Sequence, residues 1–180
     1  MVAFTKFLWL ALTATTATAA AIVQRDVITV QNDITQKIGP SWATLNNDIS
    51  GFPSSGSKGA AIILKDFTTA IADLDATTSD IKSAGSFGVV SGTTILANLQ
   101  QLVPTFLSTI VTLEAQKASW NNIPNGKASI LTQLRSGNAA VSKFLDAVIA
   151  AEPVILKAGG IVIKSELTGA FATAIAVYSV

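Results

Sequence analysis

The sequence predicts an all-α protein, an antiparallel bundle of about five long helices. Three observations predict it. Apolar residues recur at spacings of three and four along almost the whole chain, the period of a helix face. Short clusters of Gly, Pro, Ser and Asn separate these stretches, and long helices joined by short turns fold back on one another. Hydrophobic residues make up 49% of the chain and charged residues only 13%, about half the charged share of an average soluble domain. A chain of 180 residues is then one domain with ample material for a core.

The N-terminus reads as a secretory leader over 1–19. Lys6 precedes the short apolar run from Phe7 to Leu12, and Ala17-Thr18-Ala19 fits a small-residue cleavage site. The run is too short, and too diluted by threonine, for a spanning helix of about 20 apolar residues. Residues 20–25 form a short pro-segment or irregular start, and 26–180 the helical domain. The first helical stretch carries Val27, Val30, Ile34, Ile38, Trp42, Leu45 and Ile49. Gly39-Pro40 predicts a kink or break within it. After the turn Gly51–Gly56, the second carries Ala60, Ile63, Leu64, Phe67, Ile71, Leu74 and Ile81 and stops near Gly85. The third carries Ile95, Leu99, Leu102, Phe106, Ile110, Leu113 and Trp120, with a bend expected at Pro104. The fourth carries Ile130, Leu131, Leu134, Val141, Leu145, Val148 and Ile149 and ends before Pro153.

The fifth stretch is ambiguous. Val154, Ile155, Ala158 and Val162 share one face, while Leu167, Phe171, Ala174 and Tyr178 share another, with a phase slip near Lys164 and Ser165. Two short helices, or one helix apolar nearly all round, fit this pattern. Ile161-Val162-Ile163 also fits a short strand, but no partner strand is visible, so helix is preferred.

The loop between the second and third stretches, 86–94, is unusually apolar. Ser91 reads as an N-cap, with Val90 and Ile95 placed as a hydrophobic staple. Phe87 and Val89 have no such local role. Either they cover the end of the bundle, or they flank an entrance or grip an apolar surface, with Phe52 as a further candidate for the last.

Several functions are excluded by what is missing. The chain has no His and no Cys, which removes histidine-based catalytic triads, disulfides and zinc or iron–sulfur sites. A net charge of +1 with scattered basic residues leaves no nucleic-acid footprint. Asp66, Asp73 and Asp80 recur every seven residues on one helix stripe, but acid/base or metal chemistry needs carboxylates converging from different elements. The stripe reads as a solvated flank. No enzyme, cofactor or metal is predicted.

The informative positions are polar residues within apolar stripes. Thr78, Thr109 and Ser142 can bond a carbonyl one turn back. Asn138 cannot escape so easily; it must bond across helices, reach water or meet a ligand's polar head. A cavity lined by apolar side chains with a few hydroxyls and an amide suits a fatty acid. The candidate lining is Phe67, Ile71, Thr78, Leu102, Phe106, Thr109, Leu134, Asn138 and Ser142. The competing account is a plain filled core, since buried helices are apolar all round.

Leu102-Val103-Pro104, Leu113, Lys117, Trp120 and Pro124, followed by Leu134, Leu145, Pro153 and the closing run Phe171–Tyr178, resemble the fungal hydrophobic surface-binding protein A family, which includes cell-wall mannoprotein ligand-binding domains. The resemblance implies a secreted all-α bundle. It also implies non-enzymatic binding of a fatty acid or similar lipid in an apolar interior, or adsorption to hydrophobic solids with recruitment of a secreted esterase. It carries over no individual site residue. The chain has no Ser/Thr-rich stalk, and no polar spacer precedes its apolar end, so a freely secreted extracellular form is expected over a wall-attached one. No transmembrane segment is expected.

Overall fold

The structure is a computed structural model and describes residues 26–180; the expected leader and pro-segment lie outside the described residues. Among the described residues there are six helices and no strand. Helix α1 runs over 26–51: it is α-helical to residue 33, passes through a π-helical turn at Ile34–Ile38 and continues as Gly39–Gly51. The others are α2 (Gly56–Ala84), α3 (Val89–Ala115), the single turn α4 (Lys117–Asn121), α5 (Gly126–Ala151) and α6 (Lys157–Ser179).

Proline shapes α1 without breaking it. Pro40 donates no hydrogen bond and its ring would collide with the carbonyl four residues back. The helix widens just before it: the Gly39 N–H reaches the Ile34 carbonyl, five residues away, which is how a π-bulge absorbs such a misfit. Helix α3 likewise continues through Pro104, which is exposed. Gly85, at φ 76°, terminates α2 in a conformation that only glycine adopts cheaply.

Two expected boundaries move. Helix α3 starts at Val89, capped by Gly88, so Ser91 lies inside its first turn and is not the N-cap. Val90 is 82% exposed, so it forms no staple with Ile95. The anchor is Phe87, which is buried and donates its N–H to the Ala151 carbonyl at 2.8 Å. Holding the loop against the end of α5 lets the helix begin sooner. The fifth stretch is one helix with a continuous buried stripe: Gly160, Ile163, Leu167, Phe171, Ala174 and Tyr178. Val154, Ile155 and Val162 are exposed. The apparent phase slip arises because Val154 and Ile155 belong to the connection, and because a glycine occupies the position where the stripe begins.

The five long helices close into a ring. Helix α1 packs on α2 and α3, α2 on α5, α5 on α6, and α6 on α3. Direction alternates along the chain, but ring neighbours include parallel pairs. Thr109 of α3 meets Asn46 of α1 while Leu102 lies against Gly39; Tyr178 of α6 bonds Leu113 while Leu96 lies against Gly159. Helices α3 and α5 are not neighbours in this ring and face each other across its interior.

The ring's upper end, where α1 turns into α2 and α4 lies, is sealed by aromatic stacking. Phe52 and Trp120 stack with centroids 4.5 Å apart. Gln116 Nε2 donates to the carbonyls of Ile49 and Phe52 at 2.7 and 2.6 Å, occupying acceptors left open at the end of α1. The buried Tyr178 hydroxyl donates to the Leu113 carbonyl at 2.7 Å, and burial, with Glu114 nearby, holds that phenol well above its usual range.

Candidate functional site

An aromatic layer crosses the middle of the ring. Trp42 of α1 stacks on Phe106 of α3 at 3.9 Å and meets Phe67 of α2 and Phe171 of α6 edge-on at 6.4 and 6.2 Å. Such pairs each add about 0.5–1.5 kcal/mol beyond their burial. Helix α5 contributes a glycine to this layer: a Cβ on Gly137 would lie 3.0 Å from Phe171 Cε1. The small residue makes room for the ring.

Below this layer, between α3, α5 and α6, lies an enclosed void of about 10 Å³ lined by Leu99, Phe106, Val141, Phe144, Leu145, Ile163 and Leu167. Every lining group is apolar. The expectation of ready-made spare room is corrected here: about 10 Å³ is far below the roughly 300 Å³ of a small-ligand pocket. Four large aromatic rings from four helices fill the middle of the ring.

The nine candidate residues fall at different levels. Phe67, Phe106 and Leu134 are buried, the first two within the aromatic layer, and Phe106 also lines the void. Ile71 and Leu102 are partly buried against the core. Thr78 donates to the Leu74 carbonyl at 2.7 Å. Thr109 Oγ1 lies 2.8 Å from the Thr105 carbonyl and 3.3 Å from Asn46 Oδ1. Both threonines thus use the local escape. Ser142 is half-buried. Asn138 is half-buried with its Oδ1 buried and unpartnered, and Trp42 Nε1 is another orphaned polar atom. An orphan of this kind costs about 1–3 kcal/mol, so both are open to a partner that brings a donor or an acceptor.

The other void-lining positions were not among the candidates. Leu99, Val141, Leu145 and Leu167 were visible as stripe residues, but nothing in one sequence says that α3 faces α5. Ile163 was hidden by its resemblance to a strand.

The lower end of the ring holds an unusual carboxylate. Glu152, just past α5, is 3% exposed, and neither carboxylate oxygen has a partner. Burial pushes its pKa up to about 7. It lies against Gly92 in the first turn of α3, where a Cβ would collide with Glu152 Oε2 and come within 2.9 Å of Leu156 Cδ1. Beside this end, an open groove of about 530 Å³ runs between α2 and α5, with Ile81, Ala147 and Ala151 on its floor and Lys82, Lys143 and Asp146 on its walls.

The aspartate stripe is half-buried where α2 meets α1, not freely solvated. Asp66 is raised to about 6 by burial and then by Asp48. Asp80 is raised chiefly by the neighbouring Asp33, itself buried and ion-paired with Lys37. Among the described residues no three acidic side chains are grouped to hold a metal. Helices α3 and α6 are long and apolar enough to cross a membrane by length and composition alone; both are built into the ring.

The fold has solved counterparts. Ligand binding domain 1 of the Penicillium marneffei MP1 protein, complexed with arachidonic acids, superposes with a TM-score of 0.79 at 15% identity, over 86% of this chain and 99% of that one. Afmp4p in complex with palmitic acid gives 0.71 at 19% identity, over 88% and 99%. Ligand binding domain 2 of MP1, with multiple arachidonic acids, gives 0.77 at 15% identity, over 84% and 96%. No curated protein matches the chain in sequence. Residues 27–150 match the family described as Hydrophobic surface binding protein A, and the chain belongs to that family.

Proposed function

We propose that the protein is a secreted, non-enzymatic binder that takes a fatty acid or similar single-chain lipid between α3, α5 and α6. The observation that carries this reading is the wholly apolar void between two helices that do not pack on each other. Fatty acids bound in structures of the same fold support it. A long acyl chain gains about 0.8 kcal/mol per buried methylene, enough to offset the cost of parting the helices and immobilising the chain. Asn138 Oδ1 and Trp42 Nε1 are the polar partners for a carboxyl head. Leu99, Val141, Leu145 and Leu167 embrace the tail, with Phe106 and Phe144 rotating to admit it. Secretion rests on the leader pattern at 1–19.

Displacement of a fluorescent fatty acid tests the reading, together with mass spectrometry of lipids extracted from the folded protein. We expect saturable displacement by long-chain acids, weakened about tenfold or more by Val141→Phe, which fills the void. Absence of displacement by any chain length would overturn it.

Adsorption to hydrophobic solids with recruitment of a secreted esterase is a second reading, favoured by the exposed aliphatic residues at the lower end. Phe87 and Phe52 are buried and take no part in it; Val89, half-exposed, remains.

A further inference from the structure

The exposed apolar residues are not spread evenly. Among the described residues, ten large aliphatic side chains are exposed, and six of them, Val89, Val90, Val154, Ile155, Ile161 and Val162, belong to the start of α3, the α5–α6 connection and the start of α6. These segments converge at the lower end. The Phe87 N–H bonds the Ala151 carbonyl, Leu156 lies against Gly92, and Leu96 lies against Gly159. Val90 and Val154 are 82% and 84% exposed, as projecting knobs rather than walls of a groove. None of the six lines the neighbouring groove between α2 and α5.

The charge pattern fits a lipid. Residues 81–113 and 153–165 contain no carboxylate, but include Lys82 and Lys157. Lys82 and Lys143 stand on the walls of the neighbouring groove. Asp146 also stands on that groove, paired with Lys164 at 2.6 Å, while the half-buried Asp80 and Asp26 lie where α1 meets α2. Aliphatic knobs beside lysines are the pattern of a surface that enters a bilayer and faces anionic head groups.

The same end leads inward. From Gly92 to Leu99 is about 10 Å along α3 at 1.5 Å per residue. Between them Leu96 fills against Gly159 and Gly160, with Ile149 also close to Gly160. Beyond lies the void, and beyond that the aromatic layer as a floor. The opposite end is closed by the Phe52–Trp120 stack and the Tyr178 hydrogen bond.

We propose that this aliphatic end is a portal that docks on a fatty-acid-bearing lipid bilayer and admits the lipid between α3, α5 and α6, with Glu152, Gly92 and Leu156 as its inner lip. The proposal rests on interior lipid binding for what passes through; docking is measured separately. A fatty acid whose head lies at the bilayer surface would enter head first, toward Asn138 and Trp42, its tail following into the void.

Flotation of the full secreted chain with phosphatidylcholine vesicles containing oleic acid tests docking. The wild type floats. The Val90→Asp/Ile155→Asp variant, altered only at exposed positions, loses flotation about tenfold or more with unchanged helical circular dichroism. Val111→Asp, exposed toward the opposite end, floats as the wild type does. Transfer of a fluorescent fatty acid from vesicles to the double variant is slowed about tenfold, while its affinity for the same acid free in solution stays within about twofold. Flotation of the double variant equal to wild type, equal loss in Val111→Asp, or a wild type that does not float overturns the proposal. A double variant that loses adsorption to a polyester film yet still floats also overturns it, assigning the face to solids. If the wild type floats and the double variant does not, but no fatty acid is displaced from either, docking stands and the interior-binding reading fails.

Discussion

Glu152 is held neutral by its surroundings at a pH where carboxyls are normally charged. Its pKa rises from 4.5 to about 7 through burial, so the folded state binds its proton more tightly than the unfolded chain does. Its contribution to stability is therefore complete below pH 4.5 and is lost as pH rises through 7. At about 1.4 kcal/mol per unit, that loss is at most about 3–4 kcal/mol. Glu152→Gln removes the charge and keeps the shape; chemical denaturation should show it more stable than wild type at pH 8 by up to that amount, and nearly equal at pH 4. Gly92→Ala would drive a methyl into the same carboxyl and should cost about 1–3 kcal/mol, read by the same titration. Asn138→Leu abolishes an orphaned acceptor in an apolar layer; we expect a gain of about 1 kcal/mol and weaker fatty-acid binding. A polar residue in an apolar stripe is visible in one dimension, so Asn138 stood out. Glu152 did not, because a glutamate before a proline at a helix end reads as an ordinary solvated turn.

At the scale of elements, α6 approaches its neighbours closely only because its first buried position is a glycine. A Cβ on Gly160 would lie 2.8 Å from Ile149 Cγ1. Gly160→Val should push α6 away from α5, cost about 1–3 kcal/mol and lower the thermal midpoint. Both ambiguities in the sequence came from glycine. A glycine in the buried stripe of α6 looked like a phase slip, and Gly88, Ser91 and Gly92 made the first turn of α3 look like loop. A hydrophobic period records side chains, while helix boundaries depend on backbone hydrogen bonds such as that from Phe87 to Ala151. The long middle segments were readable because their apolar spacing repeats over many turns.

For the whole molecule, Glu152, Asp66, Asp80 and Glu114 are all raised, with burial or a neighbouring carboxylate as the main cause. Each destabilises the folded ring as it ionises, so thermal melting should occur at a higher temperature near pH 4.5 than near pH 8. Lys37 is raised by Asp33; its contribution is present below 10.5 and does not vary across this window. A fatty acid that binds only the folded ring should raise stability by about 2.7 kcal/mol at a hundredfold excess over Kd, seen as a rising melting temperature with added ligand.

By itself the sequence determined that the chain folds as helices, how many are long, which faces of the first four are buried, and that no histidine or cysteine chemistry is available. Those properties depend on local period and composition. The tertiary structure decided that the helices close into a ring in which α3 faces α5, that aromatic rings fill its middle, and that the apolar surplus gathers at one end. Which stripe meets which is set by side chains far apart in the chain competing for the same volume, and no single helix carries that information.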